Sequence, residues 1–222
     1  MLRDATAEPS PDRDLTPIDR LIAGADQALR TVFATLASAR PYPAEGIPET
    51  VSNDADRRNV VALMRVNHAG EVAAQALYQG QALVAQSPKT RQALLDAGRE
   101  ENDHLAWCSH RINELGGRPS ALSPLWYAGS FAIGAIAGLV SDRASLGFVA
   151  ETERQVIDHL DGHLRQLPAD DARTRAILQQ MSDDEARHGS DAVNAGAVAL
   201  PTFARLAMKL TAKAMTRTAS RI

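Results

Sequence analysis

Two four-residue segments, Glu101-Asn102-Asp103-His104 and Glu185-Ala186-Arg187-His188, constrain this chain more than any other feature. Each reads Glu-x-x-His within a stretch rich in helix formers, and residues three apart on a helix share one face. A carboxylate and an imidazole so placed can hold one metal ion together. Two copies on different helices, completed by single glutamates from two further helices, make a two-metal site inside a four-helix bundle.

The rest of the chain supplies such a bundle. Helical stretches at about 56–86 and 89–115 are broken at Ser87-Pro88, and stretches at about 144–167 and 170–196 are broken at Pro168-Ala169. In an antiparallel hairpin, residues equally far from the turn lie level. Glu71 precedes Glu101 by 30 residues and Glu153 precedes Glu185 by 32, so each hairpin brings a lone glutamate level with a Glu-x-x-His pair. This is an internal repeat of a helix pair.

Positions seven apart identify the face. The rows are Met64, Glu71 and Tyr78; Leu94, Glu101, Cys108 and Leu115; Leu146, Glu153, Leu160 and Leu167; and Leu178, Glu185 and Ala192. All four glutamates fall on core-facing rows. Glu151 is the rival of Glu153, but it shares a row with Gln155, Asp158 and Gly162 that reads as solvated, which favours Glu153. Four ionised carboxylates at one level of a core would each cost several kcal/mol, against a total fold stability of about 5–15 kcal/mol. Two divalent cations remove the conflict, because four carboxylates and two neutral imidazoles carry a matching formal charge. Mixed oxygen and nitrogen ligation with open positions suits iron or manganese better than zinc.

Around this centre, 222 residues suit one helical domain. Residues 1–13 lack periodicity and read as disordered, and the domain is expected over 14–222. A first helix is expected from Thr16-Pro17 to about Ser38, a loop over 40–49, an apolar crossover over 122–140, and a last helix over 201–222. The net charge of -3 gives no general affinity for nucleic acid. Cys108, the single cysteine, reads as a small buried hydrophobe, and His110 as a surface residue. His68, three residues before Glu71, reads as a hydrogen-bonded helper of the site. His159 and His163 lie near a core edge, where outer-sphere and plain structural roles are both open, and Tyr78 reads first as packing.

Leu125 to Val140 carries no charge over 16 residues, short of the ~20 that span a membrane. It reads either as a buried crossover or as a segment dipping into one leaflet, with Leu125, Trp126, Tyr127, Phe131, Ile133 and Ile136 meeting lipid or a lipidic substrate. Arg205, Lys209, Lys213, Arg217 and Arg221 recur every four residues on the last helix, which fits a solvated face or attraction to anionic lipid.

These residues resemble a known family. Met64-Arg65-Val66-Asn67-His68-Ala69-Gly70-Glu71, the segments Arg118-Pro119 and Pro124-Leu125-Trp126, and both Glu-x-x-His motifs are similar to the signatures of the demethoxyubiquinone hydroxylases, in order and spacing. The resemblance runs from about Leu15 to the C-terminus and is strongest to bacterial members. It implies an all-α, ferritin-like four-helix bundle with a di-iron centre, an apolar crossover and extra N- and C-terminal helices. It implies two iron ions per chain held by Glu71, Glu101, His104, Glu153, Glu185 and His188. The implied activity is a di-iron monooxygenase that uses O2 to hydroxylate the bare ring carbon of a demethoxyubiquinone or demethoxyubiquinol precursor, a late step of ubiquinone biosynthesis. The implied setting is peripheral, on the cytoplasmic face of the bacterial cell membrane, which favours the leaflet-dipping reading. Other ubiquinone-biosynthesis enzymes are implied as partners, and an oligomer is compatible. No Gly-x-Gly-x-x-Gly turn follows a strand pattern, so electrons are expected from another protein, a diffusing reductant or the quinol itself. The competing classes are a ferroxidase or iron-storage protein on the same bundle and a metal-free membrane scaffold with neutral core glutamates.

Overall fold

The computed structural model describes residues 16–34 and 37–222, and these residues form seven helices and no strand. The expectation of disorder over 1–13 lies outside the described residues. The helices are α1 (Pro17–Phe33), α2 (Asp54–Val84), α3 (Pro88–Glu114), α4 (Ser123–Val140), α5 (Asp142–Leu164), α6 (Ala172–Asn194) and α7 (Thr202–Ala219).

Local chemistry sets the boundaries. Thr16 and Asp19 form a reciprocal capping box at the start of α1. Asn53, Ser87, Ser141 and Asp171 cap α2, α3, α5 and α6 by accepting backbone N–H bonds. Gly116 and Gly196 take positive φ just past α3 and α6, the conformation that closes a helix end and that glycine adopts without strain. α1 ends at Phe33, short of the expected Ser38, with Ala34 extended. Shortly beyond it the chain is drawn to the bundle, where the Ala39 N–H and the Arg40 Nε both donate to Asp103.

Two antiparallel hairpins, α2–α3 and α5–α6, make the ferritin-like four-helix bundle. Side-chain contacts of Cys108 with Met181 and of Arg111 with Thr174 join α3 to α6 with numbers running in opposite directions, so these helices are also antiparallel. The main core lies at one end of the bundle, where Met64, Trp107, Ile112, Leu160, Ile177 and Met181 interlock. The linker before α2 crosses that end. There the fully buried Arg111 donates to Glu49, Glu114, Asp171 and Thr174, so its charge is paired rather than stranded.

α4 carries the chain from one hairpin to the other along the outside of α2. The helices approach at backbone distance: a Cβ on Gly134 would lie 2.2 Å from the Leu77 carbonyl oxygen, and one on Gly80 would lie 2.2 Å from the Phe131 carbonyl oxygen. Only glycine permits this packing. α2 is consequently buried on nearly all sides from Val66 to Ala76, unlike an amphipathic surface helix. At the end of the crossover, the Asp142 carboxylate accepts the N–H groups of Gln86 and Ser87, both at 2.9 Å. That contact pins the start of α5 to the α2–α3 turn and brings the second hairpin into register with the first.

The crossover is neither wholly buried nor wholly free. Tyr127, Gly134 and Gly138 face α2, whereas Leu125, Ile133, Ile136, Leu139 and Val140 are exposed. Three of the six residues expected to meet lipid or substrate therefore turn inward to some degree: Tyr127 is buried with its hydroxyl on Gln79, and Trp126 and Phe131 are half-buried. Glycine positions explain the split, because they select which stripe of α4 lies on α2.

Candidate metal centre

All four rows read from the sequence face inward, and their glutamates meet at the seam between the hairpins. Glu71, Glu101, Glu153 and Glu185 are between 0 and 3 % exposed. Two groups of potential ligand atoms each lie within 4.8 Å of one another: Glu71, Glu101, His104 and Glu185, and Glu101, Glu153, Glu185 and His188. The groups share Glu101 and Glu185. Each Glu-x-x-His motif thus contributes one imidazole to one group and one glutamate to both, while Glu71 and Glu153 belong to single groups.

Both imidazoles turn Nδ1 inward. His104 Nδ1 lies 2.9 Å from Glu101, 3.2 Å from Glu185 and 3.8 Å from Glu71. His188 Nδ1 lies 3.2 Å from both Glu101 and Glu185. The outer nitrogens also meet carboxylates: His104 Nε2 is 3.0 Å from Asp184, and His188 Nε2 is 3.2 Å from Glu100. Asp184 is held in turn by Arg40 and Arg187, and Glu100 by Arg187.

Electrostatics show what the cluster lacks without a cation. Burial, with the charges of Glu101 and Glu185 added, pushes the Glu71 carboxyl well above the usual range, and burial beside Glu185 does the same to Glu153. Burial also works against charge on His188, but hydrogen bonds to Glu101 and Glu185 win and raise it to about 11. His104 is likewise raised, against burial, chiefly by Glu101. Protons thus compensate the carboxylates in the ion-free chain. Even so, among the described residues Glu153 Oε1 is buried without a hydrogen-bond partner. An orphaned carboxylate oxygen in a buried cluster with two imidazoles fits a carboxylate- and nitrogen-binding cation such as iron.

The sequence matches the family described as ubiquinone biosynthesis protein COQ7 over residues 58–219. The chain belongs to this family. It is 55% identical over 216 residues to a protein of Ralstonia pickettii named 3-demethoxyubiquinol 3-hydroxylase, covering 92% of this chain and 100% of that protein. Proteins of the same name from Pseudomonas paraeruginosa and Nitrosospira multiformis are 53% and 54% identical, covering 96% and 91% of this chain and 100% and 97% of their own lengths.

Within this COQ7 family member, the other expected site residues sit differently. Among the described residues, none of His68, His159 and Tyr78 hydrogen-bonds to the six cluster residues. His68 Nδ1, His159 Nε2 and the Tyr78 hydroxyl are buried without partners. Burial pushes the His68 imidazole down to about 4, so it is neutral. Tyr78 packs with Ala74, Leu94 and Val149, and the His159 ring lies tilted against that of His163, centroids 4.0 Å apart, beside a pocket between α2, α5 and α7. Cys108 is fully buried against Met181, and His110 is exposed. Glu151 departs from expectation: it is 8% exposed rather than solvated, because Arg154 and Gln155 fold over its carboxylate. It is still absent from both ligand groups. Sequence reasoning missed Arg40, Asp103, Glu100 and Asp184. An acidic residue before the glutamate of each motif was a visible signal for Glu100 and Asp184. Nothing local pointed to Arg40, which reaches partners 63 and 144 residues away.

Proposed function

We propose that this chain hydroxylates the ring of a 3-demethoxyubiquinol-type substrate in ubiquinone biosynthesis, with two iron ions held by Glu71, Glu101, His104, Glu153, Glu185 and His188. The observation that carries the reading is the convergence of these six side chains into two ligand groups sharing two glutamates, in a chain 55% identical to a protein named for that reaction. Bound iron would supply activation of O2. The protein's own contribution is geometric and electrostatic. Glu101 and Glu185 belong to both ligand groups and Glu71 and Glu153 to one each, so these residues would hold the ions, and the buried surroundings keep bulk water from the reacting centre.

A substrate with an isoprenoid tail requires access from a bilayer. We infer that the outer face of α4 meets lipid, with support from Leu125, Ile133, Ile136, Leu139 and Val140, all exposed on one uncharged helix. On α7, Arg205, Lys209 and Lys213 are exposed beside Phe203, Leu206 and Leu210, a composition suited to an anionic interface.

The test is mass spectrometry of quinones in cells lacking this protein. The demethoxy precursor should accumulate, and the native chain should clear it while Glu153→Ala does not. A normal quinone profile in the deletion strain, or full rescue by Glu153→Ala, would refute the proposal.

A further inference from the structure

A second histidine pair lies away from the central cluster. His159 and His163 are four residues apart on α5, so their imidazoles share one face of the helix, one turn apart. His159 follows Glu153 by six residues, about 9 Å farther along the helix. The two rings lie tilted against each other beside a pocket of about 350 Å3 between α2, α5 and α7, with Asn59, Gln166 and Arg217 on its wall. Among the described residues, His159 Nε2 and His163 Nδ1 are buried without a hydrogen-bond partner, and His163 is only 5% exposed. Buried polar atoms are ordinarily paired, so two adjacent orphaned imidazoles beside a cavity call for a ligand.

We propose that His159 and His163 form a second metal site, a two-imidazole clamp for a nitrogen-preferring divalent ion such as Cu2+, Ni2+ or Zn2+. Histidines four apart on one helix face are a bidentate arrangement for such ions. Donor chemistry separates this site from the central one, where carboxylates outnumber imidazoles. Burial lowers the His159 imidazole and, with His159 adding to it, drives His163 down to about 3. Both rings are therefore neutral at pH 7, and no proton has to leave before an ion binds. An ion about 2.0–2.1 Å from one nitrogen of each ring requires the ring centroids roughly 5 Å apart, so the rings must part by about 1 Å from their present 4.0 Å, and the cavity gives that room. Asn59 and Gln166 donate their amide N–H groups to the Gln166 and Gly162 carbonyls, which leaves their amide oxygens, with water, to complete the coordination. Arg217 is exposed at the rim, where water and salt screen its charge.

Titration of the full chain with Cu2+ after loading with Fe2+, followed by electron paramagnetic resonance, tests this without turnover. The native chain should bind one Cu2+ more than His159→Leu and one more than His163→Leu, and the spectrum of that ion should carry splitting from two nitrogen ligands. The double variant should lose the same single ion, because one imidazole alone does not hold it. Iron content, measured on the same samples, should be equal in all four chains. The reading is a difference between chains, so it stands whether or not the central cluster takes up iron. Circular dichroism checks folding; where His163→Leu does not fold, the half-buried His159 is read alone, through His159→Leu and His159→Gln. Equal Cu2+ uptake by the native chain and His159→Leu would overturn the proposal. So would a native spectrum without a nitrogen pair, or a double variant that loses two ions where each single variant loses one.

Discussion

Glu153→Leu should invert the thermal stability of this protein according to whether metal is present. In the ion-free chain, Glu153 is 1% exposed, one of its oxygens has no partner, and its proton is retained because burial beside Glu185 disfavours the charge. A buried polar group without a partner costs about 1–3 kcal/mol. Leucine fills a similar volume without that cost, and for a chain of this size 1 kcal/mol moves the melting temperature by about 2–4 °C. With chelator present, Glu153→Leu should therefore melt about 2–12 °C above the native chain. With Fe2+ under anaerobic conditions the order should reverse, since a ligand at 100 times its Kd adds about 2.7 kcal/mol to the native chain and less to a variant missing a ligand. Circular dichroism melts of both proteins in both conditions are the assay. Glu151→Ala is the control: it loses a pair with the half-exposed Arg154, worth about 0–1 kcal/mol, and should keep the native response to metal. A Glu153→Leu chain that melts below the native one in chelator, or that gains as much from Fe2+, would refute the reasoning.

Three further outcomes are expected. Gly134→Ala should lower the melting temperature by about 2–12 °C, because the new Cβ meets the Leu77 carbonyl and overpacking costs about 1–3 kcal/mol; an unchanged melt would contradict the close approach. Burial, aided by His159, pushes the His163 imidazole down from 6.5 to about 3, so its contribution is complete above pH 6.5 and is lost as pH falls through that window, by up to about 1.4 kcal/mol per unit. Urea melts at pH 7 and pH 5 should show a shallower loss for His163→Leu than for the native chain, and equal slopes would count against it. Ile136→Asp with Leu139→Asp should reduce recovery in the membrane fraction without changing helix content, whereas unchanged partitioning would leave α4 without a lipid contact.

How much was legible in the sequence depended on the range of the interaction. The cluster glutamates were readable because helix periodicity is local and the two hairpins repeat, so Glu71, Glu101, Glu153 and Glu185 could be assigned to inward rows from neighbours alone. The choice of Glu153 over Glu151 came from the same rows, although the expected solvation of Glu151 missed how Arg154 covers it. Helices that begin at Thr16, Ser87 or Asp171 follow cap chemistry one turn long. The orientation of α4 was not legible, since a uniformly apolar segment has no polar stripe; it became fixed only where Gly80 meets the backbone of Phe131 and Gly134 that of Leu77. The roles of Arg40 and Asp103 were invisible for a similar reason: they depend on a linker crossing an end of a bundle not yet assembled.

The seam between the hairpins has a consequence for folding order. Each hairpin forms from contacts close in sequence, whereas Asp142 on the α2–α3 turn and His104 against Asp184 close only when distant parts of the chain meet. Local pairs form quickly, and long-range docking carries the larger entropic barrier. Three of the six cluster residues lie on each side of that docking step, so neither hairpin alone holds a complete group of potential ligands. On the proposed two-metal reading, metal uptake would report completed docking of the two halves.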